Sequence, residues 1–226
     1  MNYYNLKTLV LLKQDIKYEE LYEKISKLIS QSMLNNLELK ELHEKNKYKN
    51  YTFCSLYPIE KNGTYKKGSL YTFDIRFLDL QFSMKIKQLL GETENSYFKV
   101  IMTNMETGTQ RKINKLITLT PAVITTEKGD YKIDDDMNFV KERAVANIQK
   151  KYNQIYNEKI DIEFIKCVRK INLKPIKIPY KNINLLANKF EFEIKDDPMS
   201  QNLAYLALAI GILEKNAEGF GFCRAI

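Results

Sequence analysis

A single histidine, His43, stands in the run Glu41-Leu42-His43-Glu44-Lys45-Asn46-Lys47-Tyr48-Lys49, at the end of a short helical stretch and ahead of a strand-like segment. Imidazole is the side chain best suited to move protons near neutral pH. Lys45, Lys47 and Lys49 bring ammonium groups into the same run. The combination suits cleavage of an RNA phosphodiester without a metal ion: the 2′-hydroxyl must lose a proton, the 5′-oxygen must gain one, and a cation must offset charge building on the phosphorane. A solvated histidine among solvated lysines is the competing reading of the same residues.

A second segment, Gly211 to Phe222, is rich in glycine directly after a helical stretch. Glycine lets backbone approach a phosphate closely, and exposed amides there can form an anion nest; a helix C-cap followed by a turn accounts for the same glycines. The segment lacks a Gly-Lys-Ser/Thr ending and follows a helix where a P-loop follows a strand, so ATP or GTP binding is not expected. Lys166, Arg169, Lys170 and Lys174 form a basic cluster suited either to gripping an RNA backbone or to lining a solvated strand edge.

The elements that must position these groups follow from periodicity. Leu6 to Lys13 has strand length, and Asp15 then precedes Tyr18, Leu21, Tyr22, Ile25, Leu28 and Ile29 at helical spacing. Tyr51–Tyr57 and Leu70–Phe77 read as strands around a Gly-containing hairpin loop, Leu80–Leu90 as a helix ended by Gly91, and Tyr97–Met102 as a further strand. The second half repeats the order. Leu116–Ile124 is a strand, Val140, Ala144, Ile148, Tyr152 and Ile155 mark one helix face, Ile160–Val168 and Leu185–Ile194 are strands, Leu203–Ile210 is a helix, and Gly219–Arg224 closes the chain. Two β-α-β-β-α-β units in tandem predict an α+β protein of two ferredoxin-like (RRM-like) domains. The expected division is 1–107, carrying His43, and 108–226, carrying the glycine-rich loop, with a linker inside Thr103–Asn114 where Gly108, Arg111 and Lys112 lie. Such a sheet can receive RNA, with aromatics for stacking and lysines for phosphates.

Composition agrees with that class. The chain of 226 residues is 44% hydrophobic, ample for packed cores, and 36 basic against 28 acidic residues leave a formal charge of +8, which favours a polyanionic partner. The longest apolar run, Leu203–Leu213, is eleven residues, short of the roughly twenty a membrane span needs. Met1-Asn2-Tyr3 shows neither a charged leader nor a small-residue cleavage site, so a cytoplasmic location is expected. Cys54, Cys167 and Cys223 are far apart and without histidine neighbours, which argues against a disulfide framework or a zinc site and reads as structural thiols.

Leu42-His43-Glu44 leading through Lys49 into Tyr51-Thr52-Phe53-Cys54-Ser55-Leu56, the Thr118-Leu119-Thr120-Pro121 start of the second half, and Glu214-Lys215-Asn216 with Gly219-Phe220-Gly221 together resemble the Cas-six family of CRISPR repeat-processing endoribonucleases. The first glycine element of the family's tail is reduced here to Gly211, with Ile212 and Leu213 following. The resemblance implies a metal-independent enzyme without cofactor that cuts a repeat RNA once, leaving a 5′-hydroxyl and a 2′,3′-cyclic phosphate. It implies His43 as general base or acid and Lys49 as the group stabilising the transition state. Lys45, Lys47, Arg169, Lys170, Lys215, Asn216, Gly219 and Gly221 become the expected RNA contacts. The expected partner is CRISPR repeat RNA or precursor guide RNA, with other CRISPR effector subunits as further candidates and monomer or homodimer both open. Some members of the family add a tyrosine from the first long helix, roughly four turns before the histidine; Leu28 stands there in this chain. The third role is unassigned, with Tyr22, Ser30, Ser32 and Tyr48 nearby. A non-catalytic subunit that holds guide RNA is the second reading, and a basic ferredoxin-like protein for another protein or a small ligand the third.

Overall fold

The computed structural model describes residues 2–34, 36, 39, 48–109, 111–125, 136–180 and 183–226. They form two compact units: residues 2–108 with Ala217–Gly219, and Thr109–Asn216 with Phe220–Ile226.

In the first unit, β1 (Asn2–Leu12) buries Leu6, Thr8, Val10 and Leu12 and exposes Lys7, the period-two pattern of a strand with one face on a core. After a short β2 (Ile16–Lys17), α1 (Tyr18–Leu34) buries Leu21, Ile25, Leu28 and Ile29 at steps of three and four residues. β3 (Tyr51–Phe53) follows, then β4 (Thr64–Tyr65), which pairs with β2 as a side ribbon, and β5 (Leu70–Phe77). Asp79 caps α2 (Leu80–Gly91), its carboxylate accepting from the Phe82 amide at 2.6 Å, and β6 (Phe98–Thr109) ends the unit. The sheet runs β3-β5-β1-β6, with β1 and β3 both antiparallel to β5. Both helices pack together, and α2 lies against β1 and β5.

The second unit repeats the plan. β7 (Lys115–Thr118), α3 (Met137–Tyr156), β8 (Ile165–Lys170), β11 (Phe190–Ile194), α4 (Pro198–Ile210) and β12 (Cys223–Ala225) give the sheet order β12-β7-β11-β8. Relative to chain order, both sheets place the first and third strands at the centre, the ferredoxin-like arrangement. The chain is thus an α+β protein of two such folds in tandem. α4 is apolar all round and buried from Leu203 to Ile210, as expected of a helix inside a core. Among the described residues, no helix is long and apolar enough to cross a membrane.

Local differences have physical reasons. Thr103–Asn114, expected as linker, is strand as far as Thr109. Its Gly108 lies beneath an aromatic ring, where a Cβ would run into Tyr3; close approach, and not linker flexibility, selects that glycine. Leu185–Ile194, expected as one strand, divides at Asn188, whose amide and carbonyl pair with Ala122 at 3.0 and 2.7 Å. The first part is β10 (Ile183–Ala187), which forms an additional hairpin with β9 (Ile176–Tyr180). Pro175 and Pro179 hid β9, but a two-stranded ribbon has an unpaired edge where a missing N–H costs little.

Candidate nucleic-acid interface

His43, Lys45 and Lys47 lie outside the described residues. Lys49 is half-exposed and leads through Asn50, held in the left-handed region at φ 50°, into β3. Asparagine tolerates that conformation better than most residues. The next residue anchors the turn: Tyr51 is buried, its ring 5.9 Å from Phe77 and 6.0 Å from Phe82. Gly219, at φ 89°, belongs to the same unit, and a Cβ there would strike the rings of Phe53 and Tyr22. Burial raises the Tyr51 phenol pKa, and the neighbouring Glu218 carboxylate adds to the rise. The structure therefore brings Gly219 against the strand that Lys49 leads into, from opposite ends of the sequence.

Two of the nearby candidates for a third role, Tyr22 and Ser32, are engaged inside the first unit. Leu28 is core. The Tyr22 hydroxyl bonds Tyr18 at 2.8 Å, and burial first, then Tyr18, raises its pKa well above the ordinary phenol value. Buried Ser32 donates to the Ile29 carbonyl at 2.7 Å.

In the second unit, the chain turns sharply after α4. Gly211 (φ 87°), Leu213 (φ 60°), Lys215 (φ 58°) and Gly221 (φ 70°) all occupy the left-handed half of backbone space. Gly221 is required on two counts, since a Cβ there would also strike the Ile212 carbonyl oxygen. Its amide donates to Pro121 O at 2.9 Å, the Ile212 amide to Gly221 O at 3.0 Å, and the Phe222 amide to Thr120 Oγ1 at 2.9 Å. These three amides serve the loop's own closure, which is the turn reading of its glycines. Asn216 is buried too: its Nδ2 donates to Ile212 O at 3.0 Å and Phe220 O at 2.9 Å, and its Oδ1 accepts from Lys151 Nζ. Glu214 fixes the outer edge of the turn, taking bonds from the Thr125 amide and hydroxyl and from Arg143. Of the four tail residues expected to meet RNA, Lys215 carries a cation to the half-exposed rim, its ammonium 4.8 Å from the centroid of Tyr180.

Arg169 and Lys170 are neighbours on β8, the edge strand, and so point to opposite faces of the sheet. On the face away from the core, Arg169 bonds Glu191 at 3.0 Å, Lys115 reaches the same carboxylate at 2.9 Å, and Lys166 meets Glu193 at 3.4 Å. The hydrogen bonds from Lys115 and Arg169 hold the Glu191 carboxyl pKa below its ordinary value. The basic cluster read from the sequence is thus half of an alternating charge pattern. The three cysteines are free: Cys223 is buried, Cys54 is half-buried with its thiol pushed up to about 12 by burial, and Cys167 is exposed.

Lys151 escaped notice in the sequence. Its signal was its place, three residues after Ile148 and seven after Ala144 on the apolar face of α3.

The family model described as CRISPR associated protein Cas6, C-terminal, matches residues 102–225. No curated protein matches the chain. Among solved structures, a CRISPR associated protein Cas6 superposes with a TM-score of 0.77 at 23% identity, covering 99% of each chain. A RAMP protein described as binding different RNA substrates gives 0.75 at 14% identity, again over 99% of each chain. The product of a Cas6-related gene from Pyrococcus furiosus gives 0.67 at 17% identity over 98% of each.

Proposed function

Because the chain belongs to the CRISPR-associated Cas6 family, matched over residues 102–225, we propose that it binds a CRISPR repeat transcript and cuts it once within the repeat. The ribose 2′-oxygen gives up its proton and bonds to phosphorus, the bond from phosphorus to the 5′-oxygen breaks, and that oxygen takes a proton. The products are a 2′,3′-cyclic phosphate and a 5′-hydroxyl. His43 moves a proton as base or acid, and the Lys49 ammonium offsets negative charge on the phosphorane. No step is routed through a metal. The observation that carries the reading is the meeting of Gly219 with β3 inside the unit that also holds Lys49. Lys45, Lys47 and Lys215 supply phosphate contacts, Asn216 and Gly221 hold the tail loop in shape, and Lys170 adds a cation at the sheet edge. Arg169 contributes only by exchanging Glu191 for a phosphate.

Replacing His43 with alanine is expected to slow cutting of a repeat transcript about a hundredfold or more while binding persists. A 2′-deoxyribose at the attacking nucleotide should block the reaction in the parent protein. Cleavage by His43→Ala at the parent rate would refute the assignment.

A buried Leu28 where some members of the family have a tyrosine favours a second reading, a subunit that holds guide RNA without cutting it. Tight, salt-sensitive binding with no product on prolonged incubation distinguishes it.

A further inference from the structure

Lys151 is a fully buried cation on α3, at 2% exposure. Its Nζ donates to Gly211 O at 2.8 Å, Leu213 O at 3.1 Å and Asn216 Oδ1 at 2.5 Å. An ammonium has three N–H donors, and here three uncharged oxygens receive them. All three belong to one turn: Gly211 ends α4, Leu213 holds a left-handed conformation, and Asn216 passes the connection on to Ile212 and Phe220. The cation also sits at the negative end of the α4 dipole. Burying a charge among neutral groups is costly, and an apolar residue at this helix position would fill the core without that cost. The turn, however, would lose the ammonium that gathers the Gly211 and Leu213 carbonyls inward.

We propose that Lys151 is a positioning residue for RNA recognition: its ammonium holds the glycine-rich turn in the shape that presents Lys215 to the repeat. This inference rests on the repeat-binding reading above.

Desolvation lowers the Lys151 pKa from the ordinary lysine value to about 7, against the opposing pull of Cys223 and Glu214. Cys223 on β12 and Glu214 in the loop, itself engaged by Arg143 of α3, are the titratable groups facing it. Two consequences have opposite signs. With the folded pKa below the unfolded one, the native state sheds its proton first, so global stability rises as pH climbs above about 7. The hold on the turn weakens over the same range, because a neutral amine has two N–H donors for three acceptors.

The test compares the parent, Lys151→Met and Lys151→Arg, each also carrying His43→Ala so that cutting and imidazole titration are removed. Repeat-RNA affinity is measured from about pH 6 to about pH 8.5 beside thermal unfolding. The parent should lose affinity as pH rises through neutrality while its Tm does not fall. Lys151→Met should keep or raise Tm, bind about tenfold more weakly and lose that pH dependence; Lys151→Arg should restore part of the affinity. Parent-like binding and pH profile in Lys151→Met would overturn the proposal. Amide hydrogen exchange over residues 211–222 without RNA separates this inference from the functional reading. If the parent binds no repeat RNA, the functional reading fails, and unchanged protection of the tail in Lys151→Met, or in the parent across the pH range should that variant not fold, overturns the positioning role by itself.

Discussion

Gly219 and Gly221 occupy a few residues of one turn and resist substitution for different reasons. An added Cβ at Gly219 meets the rings of Phe53 and Tyr22 in the first unit, whereas at Gly221 it meets the backbone oxygen of Ile212 in the second. Rings can tilt; a carbonyl inside a closed turn cannot. Gly221→Ala should therefore lose about 2–4 kcal/mol by denaturant unfolding, from positive-φ strain plus the clash, and Gly219→Ala about 1–3 kcal/mol. Equal and negligible losses at both would show that the turn relaxes freely. For the proposed catalytic pair of His43 and Lys49, Lys49→Ala should lower the single-turnover rate about a hundredfold with much of the RNA affinity kept, since one cation stabilises mainly the developing charge. Lys151 shows what residue types conceal: an expectation of solvation for lysine masked its place on an apolar helix face, and three neutral acceptors left no charge pattern to read.

Helices were the more legible elements, because their apolar spacing is local. Asp79, Asp136 and Asp197 each accept from amides at the start of a helix, and Asp79→Ala should cost about 1 kcal/mol in thermal or chemical unfolding. No change on that replacement would mean that packing alone holds the start of α2. Strands were less legible where their partners are distant. β1 and β5 declared themselves by alternation, with Leu6 opposite Ile75 and Val10 opposite Tyr71. β6 continued through a glycine whose reason, the Tyr3 ring, lies about a hundred residues away. Likewise β8 looked basic from Lys166, Arg169 and Lys170, yet the carboxylates that balance it sit on β11, more than twenty residues on. Local sequence reports charge; pairing decides how much of it is available.

On the scale of the molecule, the count of 36 basic residues overstates the cation supply, because Lys115, Arg169 and Lys166 already face Glu191 and Glu193. With about four phosphates contacted by the remaining lysines, log affinity against log salt should have a slope of about −3. A slope near zero in a salt titration would exclude phosphate contacts as the main source of affinity. The tandem plan itself was legible from two rounds of strand and helix periodicity, while the membership of Ala217–Gly219 in the first unit was not, being a tertiary fact with no local mark. A fragment ending at Gly108 would lack those three residues and leave the Phe53 and Tyr22 rings uncovered where Gly219 packs. Translation makes the same point in time: the ribosome delivers β1 to β6 early, but the first unit stays unfinished until Ala217–Gly219 have emerged. A nascent chain stalled before residue 217 should therefore be more open to protease around β3 than the released protein.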